Sequence, residues 1–156
     1  MSFSEKFMKR KKLMLLVLLA FVVISAVLIV MHVFNGSGYA QYHLGNNYYY
    51  GRGVPKNYAK ANYWWEKAAE QGYAPAQTNL GLDYAFGYGV PKNYATADYW
   101  LEKAVAQGNA PAQNNLGLAY SHGWGVPQSY AKANYWWEKA AEQGNTAAQN
   151  ALAHGH

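Results

Sequence analysis

The stretch YAKANYWWEKAAEQG at residues 58–72 recurs letter for letter at residues 130–144, and a variant, YATADYWLEKAVAQG, lies midway at residues 94–108. Neighbouring copies start 36 residues apart. A period of this length is typical of an array in which each unit buries its apolar face only by stacking on the next one. The sequence therefore predicts a chain of stacked units over residues 39–156.

Each unit contains a second helical pattern ahead of the quoted stretch. In the first unit this helix, helix A, carries Ala40, Leu44, Gly45 and Tyr48 at spacings that keep them on one face. The quoted stretch forms helix B, which places alanines and two adjacent aromatic positions on one face. We expect the first of these positions to be buried, so that replacement by Ala costs about 3–5 kcal/mol. That position holds Trp64, Trp100 and Trp136.

A glycine-rich turn, Gly-x-Gly-Val-Pro, joins the two helices of each full unit at residues 51–55, 87–91 and 123–127. Glycine adopts backbone angles that other residues resist, and proline stops helix A from continuing. Pro75 and Pro111 open helix A of the second and third units, where a missing N–H is harmless. The turns follow a helix and lack the Lys-Ser/Thr of a phosphate-binding loop, so they indicate structure and not a nucleotide site.

The chain resembles the Sel1-like repeat family over about residues 39–153. The resemblance rests on three motifs: Ala-x-x-x-Leu-Gly-x-x-Tyr in helix A, the Gly-x-Gly-Val-Pro turn, and Ala-x-x-Trp-x-x-x-Ala-x-x-Gln-Gly in helix B. Tetratricopeptide repeats have a shorter period of about 34 residues. The resemblance implies an all-α, tetratricopeptide-like fold, a right-handed α-solenoid that serves as an adaptor for other proteins. Its units are residues 39–72, 73–108 and 109–144 with a terminal half-unit at 145–156, about three and a half repeats.

Ahead of the repeats, residues 13–34 form an uninterrupted apolar run with His32 as the only possible exception. A helix of this length spans roughly 33 Å, enough to cross a hydrocarbon core. Residues 1–12 carry the basic cluster, and residues 35–38 are a short neutral linker. Because positive charge stays on the cytoplasmic side, we expect a single-pass protein with a cytoplasmic tail and an extracytoplasmic repeat domain, periplasmic in a Gram-negative bacterium. A cleaved signal peptide is the alternative, although its apolar region is normally shorter.

The net charge of +5 is concentrated at the N-terminus, since residues 1–12 contribute +4 and the rest of the chain only +1. A nucleic-acid binder needs a concentrated basic face on its folded part, so no nucleic-acid partner is predicted. The chain has no cysteine, which excludes disulfides, thiolate metal sites and a cysteine nucleophile.

No catalytic, metal or cofactor constellation can be argued from the remaining polar residues. Repeated carboxylates on helix B indicate a solvated face, and His43 and His122 occupy positions that other units fill freely. Asp83 is the sole carboxylate on an A helix, with Asn47 and Ala119 as its counterparts. An enzyme is therefore not predicted. An envelope hydrolase or ligand-binding protein stays as an alternative that loss of Asp83 would test.

Positions that vary between units are free to meet a partner, because the constant ones maintain stacking. Exposed aromatic side chains are favoured interface anchors, which selects Tyr42, Tyr49, Tyr88 and Trp124 as protein-binding candidates. The alternative is that these rings only pack between adjacent turns. We predict a membrane-anchored interaction scaffold, an accessory or regulatory subunit of a membrane complex, whose partners are membrane or membrane-surface proteins and which contacts lipid through residues 13–34. A secreted adaptor released by cleavage is the rival.

Overall fold

The computed structural model describes the backbone of residues 3–154 and the side chains of residues 7–25 and 36–154. The chain divides into two compact units, Met1–Gly36 and Ser37–His156.

The first unit is a single helix, α1 (Phe3–Gly36). Its described side chains, residues 7–25, are all exposed. Residues 26–34 of the predicted membrane segment lie outside the described side chains. No helix among the described residues combines the length and the apolarity that crossing a membrane requires.

The second unit is an α-solenoid in which pairs of antiparallel helices follow one another along the chain. The described residues of the whole protein form eight helices and no strand, which confirms the predicted all-α solenoid. The A helices are α2 (Gly38–Tyr50), α4 (Ala74–Phe86) and α6 (Ala110–His122). The B helices are α3 (Tyr58–Glu70), α5 (Tyr94–Ala106) and α7 (Tyr130–Glu142), and α8 (Thr146–His154) is the terminal half-unit.

Local sequence sets the helix ends in the same way in each unit. The B helices begin at a polar N-cap, as where the Asn57 side chain accepts a hydrogen bond from the Lys60 N–H at 2.9 Å. The A helices end at a glycine in the left-handed region, such as Gly87 with φ of 79°, a conformation that costs glycine little. Pro75 and Pro111 lie in the first turn of α4 and α6, as predicted.

A and B helices of one unit pack through a glycine on helix A. A Cβ on Gly81 would lie 2.6 Å from Leu101 Cγ, and one on Gly117 would lie 2.5 Å from Trp137 Nε1. In the first unit the Trp65 ring occupies the matching space over Gly45. The absent side chain is therefore what lets a large helix-B side chain reach the A helix.

This packing corrects the prediction about the tryptophans. The deeply buried position is the second of the two, where Trp65 and Trp137 are each 2% exposed. At the first position only Trp100 is buried, whereas Trp64 and Trp136 are half-buried. The second position is buried in all three units because it faces the glycine of helix A.

Glutamine side chains link the helices across and within units. Gln107 Nε2 donates to Gln77 Oε1 at 2.8 Å within the second unit, and Gln77 Nε2 donates to the Ala69 carbonyl of the first unit at 3.0 Å. Gln143 and Gln113 repeat the first of these bonds one unit later, also at 2.8 Å. These glutamine side chains are thus paired at the contacts between helices, which favours one register of successive units.

Candidate functional site

Aromatic rings form a continuous row along the turns between A and B helices. Successive ring centroids in this row lie between 4.4 and 5.9 Å apart, within the range of favourable aromatic pairs. Four of its side chains are exposed, so the row is a surface feature. The aromatic row consists, in spatial order, of Tyr50, Tyr49, Tyr58, Tyr88, Phe86, Trp124 and His122.

Two grooves open beside the aromatic row. The first, called the polar groove, has a volume of about 240 Å³ and lies between the first and second units. Its walls are tyrosine rings and Phe86, and a carboxylate lines it. The lining residues used below are Tyr49, Tyr50, Asp83, Phe86 and Tyr88.

The second groove, called the apolar groove, has a volume of about 210 Å³ and lies between the second and third units. It is the same structural position moved along by one repeat. Where the polar groove has Tyr49 and Asp83, the apolar groove has Ala85 and Ala119. Phe86 lines both grooves, and Trp124 takes the place of Tyr88.

Asp83 is the unusual group in the polar groove, because it is a carboxylate that is only 3% exposed. Burial raises the pKa of the Asp83 carboxyl to about 7, and a hydrogen bond with Asn62 offsets only part of that rise. The Asn62 amide nitrogen also donates to the Tyr88 carbonyl oxygen at 2.6 Å. Asp83 Oδ2 and Asn62 Oδ1 receive no hydrogen bond from the described residues. Two buried acceptors without donors therefore lie together beside this groove.

Nearby titratable groups respond to the same environment. Burial, and secondly the charge of Asp83, raises the pKa of the Tyr49 hydroxyl. In the apolar groove, burial and then the neighbouring Glu102 charge raise the pKa of Asp98. With a pKa of about 7, the Asp83 carboxyl can be neutral near neutral pH and can then donate a hydrogen bond as well as accept one.

The structure places three of the four predicted protein-binding residues at the grooves. Tyr49 and Tyr88 line the polar groove and Trp124 lines the apolar groove. Tyr42 lies elsewhere, with its ring 5.1 Å from Tyr73 and stacked 6.5 Å from Trp65. Tyr88 is 46% exposed and also stacks on Tyr58. Packing between turns and exposure to a partner therefore coexist in one ring.

Sequence reasoning did not include Tyr50, Phe86 and Asp83 among the binding residues. Tyr50 and Phe86 occupy equivalent helix-A ends in successive units, a position that is aromatic twice and His122 in the third. The recurrence of an aromatic residue at this helix end is the sequence signal that could have identified Tyr50 and Phe86 as groove residues. The sequence marks Asp83 as the sole carboxylate on an A helix and as the test of the enzymatic or ligand-binding alternative, and does not predict its burial.

In the described part of the chain, no group of three or more acidic or histidine side chains comes together. His122 stacks on Trp124 with a centroid distance of 4.4 Å and is exposed. His43 is exposed and contacts the rings of Tyr39 and Tyr42.

A family model described as Sel1 repeat matches residues 38–73, 74–109 and 110–145. The chain belongs to the Sel1 repeat family. No curated protein matches this Sel1 repeat chain. The Sel1-like repeat fold suggests a protein–protein interaction scaffold, and proteins with this fold are generally non-enzymatic.

Two solved structures resemble this Sel1 repeat chain. A Sel1 repeat protein from Oxalobacter formigenes is 43% identical with a TM-score of 0.66, over 71% of this chain and 46% of its own. A protective antigen present in uropathogenic Escherichia coli strains, which displays an SLR fold, is 42% identical with a TM-score of 0.71, over 76% of this chain and 26% of its own. The chain thus spans less than half the length of either protein.

Proposed function

We propose that this Sel1 repeat protein is a membrane-anchored scaffold that serves as an accessory or regulatory subunit of a membrane protein complex. The observation that carries the binding role is the pair of neighbouring grooves bordered by the exposed aromatic row. Concave sites lined by aromatic side chains, with a few placed polar groups, are typical of recognition sites.

The sequence ahead of the repeats supports the anchor. Residues 13–34 are apolar except for Ser25 and His32, and the part of this run with described side chains, residues 13–25, is exposed. A helix that exposes apolar side chains all round is stable where lipid or another apolar partner covers it. The basic cluster in residues 1–12 favours a cytoplasmic tail and an extracytoplasmic repeat domain.

The short link between the two parts supports partners at the membrane. Only residues 35–38 separate the apolar run from the predicted repeats. A chain advances at most about 3.3–3.6 Å per residue, so a repeat domain joined in this way stays close to the bilayer surface. Membrane proteins, or proteins bound at the membrane surface, are then the accessible partners.

Purification of the full-length chain from native membranes in mild detergent tests both parts of the proposal. We expect the intact mass of the uncleaved chain and membrane proteins that co-purify in fixed stoichiometry. Recovery alone, or as a soluble fragment that begins near Tyr39, would contradict the anchored-subunit role and favour the secreted adaptor.

A pair of double variants tests the binding surface in the same experiment. Replacing Tyr88 and Trp124 by Ala is expected to reduce partner recovery about tenfold or more, since both rings border grooves. The matched control replaces Tyr63 and Tyr135, exposed rings on B helices that line neither groove, and is expected to retain the partner. Equal recovery with both double variants, with helical content preserved by circular dichroism, would refute the groove assignment.

A further inference from the structure

The polar groove combines a buried carboxylate with aromatic rings, and both kinds of group favour a cationic ligand. Asp83 lines the groove and is only 3% exposed. Its Oδ2 accepts no hydrogen bond from the described residues. The neighbouring Asn62 Oδ1 is a second buried acceptor that receives no hydrogen bond from the described residues. A buried acceptor without a donor is costly, so a ligand that supplies several donors at this place is favoured.

The ring walls favour the same kind of ligand. Tyr49, Tyr50, Phe86 and Tyr88 surround the groove, and the faces of such rings attract cations. One such cation–ring contact exists within the chain, where the Arg52 guanidinium lies 4.7 Å from the centroid of the Tyr50 ring. Among protein side chains, arginine offers five donors on a planar group that stacks on rings and pairs with carboxylates.

The adjacent apolar groove extends the argument to a second position. There the equivalents of Asp83 and Tyr49 are Ala119 and Ala85, so methyl groups replace these two polar groups. Asp98 and Tyr94 also line this groove, but the rest of its lining is apolar apart from Asn115 and the Trp124 ring nitrogen. Phe86 separates the two grooves, with its ring centroid 5.9 Å from Tyr88 and 5.5 Å from Trp124. A segment in the polyproline II conformation has three residues per turn and rises about 3.1 Å per residue, so side chains three residues apart point the same way and lie about 9 Å apart, enough to reach both grooves.

We propose that the polar groove binds an arginine side chain of a partner segment in the polyproline II conformation, and that the apolar groove binds an apolar side chain three residues away in the same segment. This inference rests on the proposed scaffold function and specifies what the scaffold recognises. The carboxylate of Asp83 and the rings around it hold the guanidinium, and Trp124 and Phe86 cover the apolar side chain.

Fluorescence anisotropy on the full-length chain in detergent micelles provides the test. The probes are fluorescein-labelled Gly/Ser peptides that contain Arg-x-x-Leu, with counterparts in which citrulline replaces Arg or Ser replaces Leu. Citrulline keeps the size of arginine and removes its charge. We expect the Arg peptide to bind about tenfold or more tightly than the citrulline peptide, since the ion pair is partly desolvated. The Ser peptide should also bind more weakly than the parent.

The decisive variant is Asp83→Ala, which introduces the residue that the third unit already has at this position, the buried Ala119. It is expected to abolish the preference for Arg over citrulline, whereas Glu138→Gln, which removes an exposed charge outside both grooves, should preserve it. Equal binding of Arg and citrulline peptides by the unaltered chain, or a preference that survives Asp83→Ala, would overturn the inference. If partner recovery still depends on Tyr88 and Trp124 in that case, the scaffold function stands and only the arginine specificity fails.

Discussion

Replacement of Asp83 by Asn should change how the stability of the protein depends on pH. The unfolded carboxyl has the ordinary pKa of 3.8, whereas burial raises the folded value to about 7. Below pH 3.8 the carboxyl is neutral in both states and carries no penalty. As pH rises towards 7, the unfolded chain loses its proton while the folded chain keeps it, so the free energy of unfolding falls.

The size of the effect follows from the two pKa values. Each pKa unit corresponds to about 1.4 kcal/mol, so the slope is about −1.4 kcal/mol per pH unit between pH 4 and 7. The full loss is about 4 kcal/mol, an upper value because water that enters the groove relieves part of the desolvation. Asn has nearly the same shape and no charge, so the Asp83→Asn variant lacks this slope. Near pH 4 the two proteins should differ little, and at pH 8 the variant should be more stable by up to about 4 kcal/mol.

Urea unfolding of the full-length chain in detergent micelles, followed by tryptophan fluorescence between pH 4 and 8, measures this difference. Glu138→Gln is the control, since it removes an exposed carboxylate and surface substitutions usually change stability by less than about 0.5 kcal/mol. A constant difference between Asp83→Asn and the unaltered chain from pH 4 to 8 would refute the reasoning, because a raised pKa requires the difference to grow with pH.

Other substitutions test the packing and the helix ends. Trp65→Ala should lower the free energy of unfolding by about 3–5 kcal/mol, and Trp64→Ala by clearly less, because Trp64 is half-buried; paired urea titrations compare them, and equal losses would contradict the burial pattern. Gly81→Ala should cost about 1–3 kcal/mol, since its Cβ would lie 2.6 Å from Leu101 Cγ; an unchanged thermal midpoint would show that the helices separate without penalty. Asn57→Ala should cost about 1 kcal/mol by removing the cap of α3, whereas Ser at that position should restore most of the loss in thermal unfolding followed by circular dichroism.

The helices and turns could be predicted from the sequence because their causes are local. The glycines of the turn and the prolines at the start of α4 and α6 act within a few residues of their own positions, and the period repeats each signal. The identity of the buried tryptophan is different. Trp64 and Trp65 are about 100° apart around the helix, and both fall within a wide apolar face. Only the place of Gly45 on the neighbouring helix decides between them.

The grooves were only partly predictable for a similar reason. Variation between units pointed to Tyr49, Tyr88 and Trp124, which line grooves, but also to Tyr42, which packs near Tyr73 instead. Sequence comparison shows which positions change and not which neighbours they meet. The burial of Asp83 arises from helices that lie in two different units, so no window of sequence contains its cause.

Each groove is assembled from two successive units, with Phe86 belonging to both. Gene duplication of residues 74–109 would therefore not copy either existing groove. The inserted junction would combine the small Ala85 of one copy with the carboxylate of Asp83 from the next, a pairing that neither present groove has. In a protein built this way, tandem duplication of a unit creates a groove with a new lining. The order of the units along the chain therefore determines which grooves the protein has.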